Sequence, residues 1–161
     1  MKKKIIPVLV IIGISIVACN SNDKKQDEHS GHISKEVPLT QVDSLMADVM
    51  DGHDVGMGKM GKLSTMQKEV KRVLDSIAQL PRKASATAAP YKAKLDSVAK
   101  ELSYAGMAMD KWMEEFNMDS AVNNMEQRIK YLAGEKMKVG KVKQAILGSL
   151  QKADSLLKAK L

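Results

Sequence analysis

Apolar residues recur every three or four positions in three long segments of this chain, the spacing of one face of an α-helix. The segments span residues 40–80, 90–116 and 119–160. Three amphipathic helices joined by short links pack most simply side by side, with a left-handed, coiled-coil-like twist. The predicted fold is therefore an all-α, antiparallel three-helix bundle with long helices.

The predicted helix boundaries come from local signals. Thr40 and Asp43 have the spacing of a capping box, which indicates the start of the first helix. Pro81 ends that helix, and the small residues at 85–90 are interpreted as a connector. A short break at 117–119 separates the second helix from the third.

Composition supports a helical, non-enzymatic protein. Aromatic residues make up 3% of the 161 residues, whereas methionine occurs 12 times, a balance that disfavours sheets. The single cysteine excludes a disulfide framework and a cysteine zinc site. The chain contains no phosphate-binding loop, nucleophile elbow or HExxH motif, so we expect no enzymatic activity.

The N-terminus carries the pattern of an export signal. Three lysines precede the apolar run 5–17, which is too short to span a bilayer. The run ends Ile16-Val17-Ala18-Cys19, which resembles a bacterial lipobox. Lipoproteins with this pattern are acylated on the cysteine and cleaved before it. The alternative is an ordinary signal with a chance cysteine at the cleavage point.

This interpretation divides the chain into three parts. Residues 1–18 are the predicted signal, 19–38 an acylated and flexible polar tether, and 39–161 the helical bundle. The acyl chains on Cys19 would hold the protein in a membrane of the bacterial cell envelope. We expect the outer membrane, on its periplasmic or surface side, and the modest positive charge gives no reason to expect nucleic acid.

Glycines complicate the long helices. Four of them crowd the first helix: Gly52, Gly56, Gly58 and Gly61. Each is less favourable than alanine in a helix by about 1 kcal/mol, which predicts a kink or the close approach of another backbone. Gly134 and Gly140 raise the alternative that the third helix is split in two.

The predicted helix lengths differ. The first and third helices would be about 60 Å long and the second about 40 Å. The start of the first and the end of the third would then overhang. Because exposed apolar seams favour association, the sequence predicts a homodimer or a protein partner from the envelope.

One cluster of side chains has ligand character. Folding the predicted helices back around their turns opposes Met57 to Met113 and brings Met125 level with Trp112. One layer then contains His53, Met57, Met60, Met109, Met113 and Met125. Thioether and imidazole groups favour Cu(I), and the ring of Trp112 would shield the cation. The alternative is an ordinary methionine-rich core, in which methionine fills irregular gaps between helices.

Two further expectations concern charge. Aspartates near the start of the first helix and acids near residues 110–119 should make one end of the bundle acidic, while lysines within 130–161 should make the other end basic. His53 and Asp54 point about 100° apart around a helix, so we expect no direct pair between them.

Three stretches carry a resemblance to known proteins: HDVGMGKMGKL (53–63), MAMDKWMEEF (107–116) and YLAGEKMKV (131–139). In these the chain resembles small helical lipoproteins of Gram-negative envelopes that often carry the label "viral A-type inclusion protein". The resemblance covers roughly residues 40–155 and implies fold and location, without an activity. Members of this family often have a histidine shortly after the Trp-Met pair, which is Trp112-Met113 here, whereas this chain has Glu114 and Glu115 at that place.

Two functions follow as hypotheses. The first is a membrane-anchored adaptor or structural bundle that binds a protein partner or self-associates. The second is a Cu(I)-binding or copper-buffering lipoprotein that uses the His/Met/Trp cluster.

Overall fold

The computed structural model describes residues 40–159, which form three α-helices. These are α1 (Gln41–Ala78), α2 (Arg82–Glu115) and α3 (Met125–Lys158). Each helix packs against the other two, which confirms the predicted all-α three-helix bundle. The predicted signal, Cys19 and the tether lie outside the described residues.

The capping box at the start of α1 is confirmed. The Thr40 hydroxyl accepts a hydrogen bond from the Asp43 backbone N–H at 3.2 Å, and the Thr40 backbone N–H donates to the Asp43 carboxylate at 3.0 Å. These two bonds satisfy donors that every helix leaves free at its N-terminus. The Thr40 hydroxyl also donates to the same carboxylate at 2.7 Å.

The prediction of a connector at residues 85–90 is wrong. α2 already begins at Arg82 and includes Pro90 within its length. Alanines at 86, 88 and 89 favour helix, and buried Ala88 anchors this part of α2 in the core. Pro90 itself is exposed, where its ring meets solvent and not a neighbouring helix.

The link between α2 and α3 is longer than predicted, so the predicted start of the third helix at residue 119 is wrong. Asn117 accepts a hydrogen bond from the Asp119 backbone N–H at 2.9 Å, and Ala121 adopts a left-handed conformation with φ of 56°. Asn124 then caps α3 by accepting from the Gln127 backbone N–H at 3.0 Å.

All three helices are continuous and similar in length. α1 has 38 residues and α2 and α3 have 34 each, so the predicted difference in length, from which the overhang was inferred, is wrong. α3 runs unbroken through Gly134 and Gly140, so it is not split. The extra turns of α2 come from the segment that sequence analysis had assigned to the connector.

Two of the four glycines in α1 mark close contacts. A Cβ at Gly52 would lie 2.8 Å from Val139 Cγ1 of α3, and one at Gly56 would overlap Met109 Cε of α2. Gly58 and Gly61 have no such neighbour within 4 Å. The close neighbours of the first two glycines are therefore side chains of the adjacent helices, and not another backbone as predicted.

The core follows the predicted apolar seams closely. Its fully buried large side chains come from all three helices: Val49, Val70, Leu95, Leu102, Met109, Leu132, Val139 and Ile146. Val122 and Met125 lie within the predicted third segment, 119–160, but are 57% and 64% exposed, because they precede or begin α3. Glu135 and Arg128 are buried instead.

The predicted separation of charge between the two ends of the bundle is wrong. α1 and α3 run parallel, so the lysines of α3 lie beside the aspartates of α1. Lys136 Nζ lies 2.8 Å from Asp48 Oδ2, and Lys143 Nζ lies 3.5 Å from Asp51 Oδ2. Opposite charges therefore alternate along this face. Among residues 40–159, no helix has the length and apolar character that crossing a bilayer requires.

Candidate functional site

A row of four neighbouring rings crosses the bundle near the start of α1, with His53 tilted by 40° against Trp112 and the other pairs stacked. The His53 and Trp112 ring centroids are 5.7 Å apart, and those of Trp112 and Phe116 are 4.9 Å apart. Phe116 stacks in turn on Tyr131 of α3, at 6.2 Å. The row joins all three helices and includes the indole that sequence analysis singled out.

Met60 and Met109, two of the predicted metal ligands, are packing residues. Met109 is fully buried and its methyl group lies against Gly56. The methyl group of Met60 lies 3.9 Å from the position of a Cβ on Gly106. The two methionines thus cover glycines on each other's helix, as flexible side chains do where helix surfaces fit poorly.

These two contacts set the register of α1 against α2. Gly56 lies opposite Met109 and Gly106 opposite Met60, so the register differs from the predicted one by about one helical turn. Met113 consequently lies level with His53 and not with Met57. Met57 and Met113 are 38% and 37% exposed, at the edge of the α1–α2 interface.

Met125 is not part of the cluster. Trp112 lies opposite Glu135, not opposite Met125, because the link before α3 is longer than predicted. Met125 is 64% exposed in the first turn of α3. The structure therefore brings His53 and Trp112 together as predicted, with Met57 and Met113 at the adjoining surface.

The expectation that His53 and Asp54 would not pair is wrong. His53 Nδ1 lies 2.8 Å from Asp54 Oδ1. Their Cβ atoms point in different directions, but both side chains extend along the helix surface, which brings the imidazole and the carboxylate within hydrogen-bond distance. The histidine side chain is 23% exposed and the aspartate 72%. Within residues 40–159 no group of three or more His, Cys, Asp or Glu side chains is arranged to hold a metal ion.

A second candidate site, missed by sequence analysis, is a groove between α2 and α3. Its largest cavity, about 480 Å³, has Ala108, Ala145 and Val142 among its apolar lining residues, with Trp112 also in the wall. Two exposed side chains flank it, Tyr104 at 63% and Met107 at 61%. The sequence did contain one signal for this groove, because these two large residues lie outside the apolar seam of α2.

The groove continues along the same pair of helices. A cavity of about 300 Å³ shares Tyr104 and Ala145 with the first. A third, of about 430 Å³, shares Glu101 with the second and reaches Leu156. We call these three cavities together the α2–α3 groove.

Cations outnumber anions along the α2–α3 groove. Glu101 and Glu115 are its acids. The lysines among its lining residues are Lys94, Lys100, Lys111, Lys138, Lys141 and Lys152. Two are paired with groove acids: Lys152 Nζ lies 2.7 Å from Glu101 Oε2, and Lys111 Nζ lies 3.6 Å from Glu115 Oε1.

A buried carboxylate lies beneath one of these lysines. Glu135 Oε1 accepts a hydrogen bond from Lys138 Nζ at 2.8 Å, while its Oε2 accepts from Trp112 Nε1 at 2.9 Å. The hydrogen bond and the nearby negative charge of Glu135 raise the pKa of Lys138. Both oxygens of the buried carboxylate are thus satisfied, and Lys138 keeps its charge at the groove.

Comparison with known proteins found no matching family model, curated protein or solved structure.

Proposed function

We propose that this chain is a lipid-anchored protein of the bacterial envelope whose helical bundle binds a partner protein through the α2–α3 groove. The exposed Tyr104 and Met107 beside the apolar floor of the groove carry this proposal. Large aromatic and methionine side chains are enriched in protein interfaces. Apart from Met113, which is 37% exposed, the other large apolar residues of α2 are buried or half-buried, so Tyr104 and Met107 stand out as the most exposed large side chains of this helix.

The anchor is proposed from the sequence. Cys19 follows a basic head and an apolar run in the pattern of a lipobox. Two or more acyl chains give stable membrane attachment, since each buried methylene contributes about 0.8 kcal/mol. Cys19→Ser should release the protein from the membrane fraction and remove incorporation of a labelled fatty acid. Retention of both would contradict the anchor while leaving the groove proposal intact.

The groove proposal is tested by site-specific crosslinking in intact cells. A photoreactive phenylalanine analogue at position 104 should give one dominant crosslinked product. The same analogue at position 68, an exposed site on α1 outside the groove, should not give that product. Equal products from both positions, or none from position 104, would contradict partner binding in the groove.

Cu(I) binding is a second candidate function, favoured by the environment of His53. A carboxylate at Nδ1 is the usual outer partner of a histidine that binds metal through Nε2. Met57 lies one turn further on α1, and Met113 is level with His53 on α2. Imidazole and thioether groups suit Cu(I), and the neighbouring Trp112 ring would face the cation. Met60 and Met109 are left out of this ligand set because they are committed to packing.

The copper proposal is tested by an anaerobic competition titration against a chromophoric Cu(I) chelator, following the fluorescence of the single tryptophan. We expect one-to-one binding that quenches Trp112. His53→Ala combined with Met57→Leu should abolish binding and retain helicity, whereas Met137→Leu, at an exposed methionine on α3, should not affect it. Absence of competition, or equal binding by the double variant, would contradict the proposal.

A further inference from the structure

We propose that the occupant of the α2–α3 groove is an acidic amphipathic helix of a partner protein. This inference rests on the proposed function, since it names the chemistry of the partner that the groove would bind. Three properties of the groove carry it: its excess of lysine, its length and its recessed apolar floor.

The charge excess of the bundle is concentrated at this groove. Six lysines line the groove against Glu101, Glu115 and the buried Glu135 beneath Lys138, which gives the groove an excess of three positive charges. Residues 40–159 as a whole have an excess of four, with 19 lysines and arginines against 15 acids. Lys94, Lys100 and Lys141 form none of the ion pairs found among residues 40–159. An acidic partner would supply the missing counter-charges.

The shape of the groove fits a helix. It extends along α3 from Lys138 to Leu156, which corresponds to about 27 Å or five helical turns. Its two walls are α2 and α3, and the small residues Ala108 and Ala145 lie between them. A groove of this shape accepts the apolar stripe of an added helix. A flat lipid bilayer would meet the lysines at the rim but would not reach this floor.

Two occupants from within the same protein fit less well. A second copy that used the same face would bring its lysines against these lysines, because a two-fold interface pairs identical surfaces. Residues 20–36 of the chain hold four acids and three lysines, with Ile33 as their one large apolar residue. That segment therefore lacks both the charge and the apolar stripe that the groove requires.

The test uses the full-length chain as the cell produces it and two synthetic helical peptides of about 20 residues. Both carry leucine at the same helical spacing; one has glutamate at the polar positions and the other lysine. Binding is followed by the anisotropy of a label on the peptide. We expect the glutamate peptide to bind at least about tenfold more tightly, since several surface ion pairs of modest strength add to that factor.

Charge-reversal variants test whether the preference for the glutamate peptide originates at the groove lysines. Lys100→Glu combined with Lys141→Glu should remove the preference for the glutamate peptide. The matched control, Lys59→Glu combined with Lys68→Glu, changes the net charge equally on α1 and should preserve the preference. Tyr104→Ser should weaken binding of both peptides, because it removes an apolar contact and no charge.

Each other outcome contradicts the acidic helix. Equal binding of the two peptides would reject the charge argument but leave groove binding intact, and binding of neither would reject a helical occupant. Binding to phosphatidylglycerol vesicles alone, lost in the groove variant, would assign the lysines to the membrane. A dimer in sedimentation that the same variant dissociates would assign the groove to a second copy. In all these cases, crosslinking at position 104 still tests the proposed function by itself.

Discussion

Trp112 of α2 donates a hydrogen bond from Nε1 to Oε2 of Glu135 in α3, at 2.9 Å. Both residues are buried, with 5% and 3% exposure. The bond satisfies the one polar atom of the indole, and it fixes the register of α2 against α3 beside the α2–α3 groove. A carboxylate inside an otherwise apolar seam is stable here because Lys138 occupies its second oxygen.

We expect Glu135→Leu to lower the free energy of unfolding by about 1–3 kcal/mol, because it leaves a buried indole N–H without an acceptor. Glu135→Gln should cost less, since the amide oxygen can still accept from Trp112. Guanidinium unfolding followed by circular dichroism measures both. Equal stability of the two variants would show that the hydrogen bond contributes little.

The glycines of α1 should respond to alanine in opposite directions. Gly58→Ala should raise stability by up to about 1 kcal/mol, since alanine favours helix and nothing lies within 4 Å of its Cβ. Gly52→Ala should lower stability by about 1–3 kcal/mol, because its Cβ would overlap the stiff side chain of Val139.

The matched rescue is Gly52→Ala combined with Val139→Ala. Thermal unfolding should show that Val139→Ala lowers stability less in the Gly52→Ala background than in the wild type. Additive effects of the two substitutions would contradict direct contact between these positions.

Pro90→Ala should stabilise the protein by up to about 3 kcal/mol. The proline lies inside α2, where it lacks the N–H that would bond to the preceding turn. Alanine restores this bond, and the site is exposed, so no packing is lost. Pro81→Ala, at the N-cap of α2, is the control and should change the unfolding midpoint much less. A destabilised Pro90→Ala variant would mean that the bundle requires the proline's local geometry.

Stability should fall at acid pH partly through Asp43. The Thr40 hydroxyl, followed by the Thr40 backbone N–H, holds the pKa of this carboxylate below its ordinary value. A lowered pKa in the folded state contributes stability above about pH 4, and that contribution is lost as the pH falls through the folded value.

Asp43→Asn cannot titrate, so it tests this origin. The variant should have a lower unfolding midpoint than the wild type near pH 6, and the difference should shrink as the pH falls below about 4. Thr40→Ala removes the hydroxyl, the larger cause of the lowered pKa of Asp43, but keeps the backbone N–H, so it should flatten the profile in part. A difference that stays constant with pH would contradict the capping carboxylate as its source.

Local signals in the sequence were sufficient for the helices and most of the core. The seam through Val49, Leu63 and Val70 follows from spacing, because side chains three and four residues apart share one face of a helix. The capping box at Thr40 follows in the same way, since all of its atoms lie within four residues. The prediction failed at Pro90, where packing of Ala88 and the helix propensity of its neighbours outweighed the cost of a proline.

The candidate sites depended on relationships that spacing does not determine. The pairing of Trp112 with Glu135 required the true length of the link at residues 116–124, whose left-handed Ala121 has no clear signal in the sequence. The roles of Met60 and Met109 required the register of α1 against α2, which two glycine contacts set.

The sequence by itself determined that the chain forms three amphipathic helices, because helix periodicity and capping are properties of neighbouring residues. Only the tertiary structure decided which methionines pack in the core, that the lysines of α3 lie beside the aspartates of α1, and that α2 and α3 leave a lysine-rich groove between them. These features arise where residues distant in sequence meet. A shift of one turn between two helices exchanges every neighbour, while the periodicity of each helix stays the same.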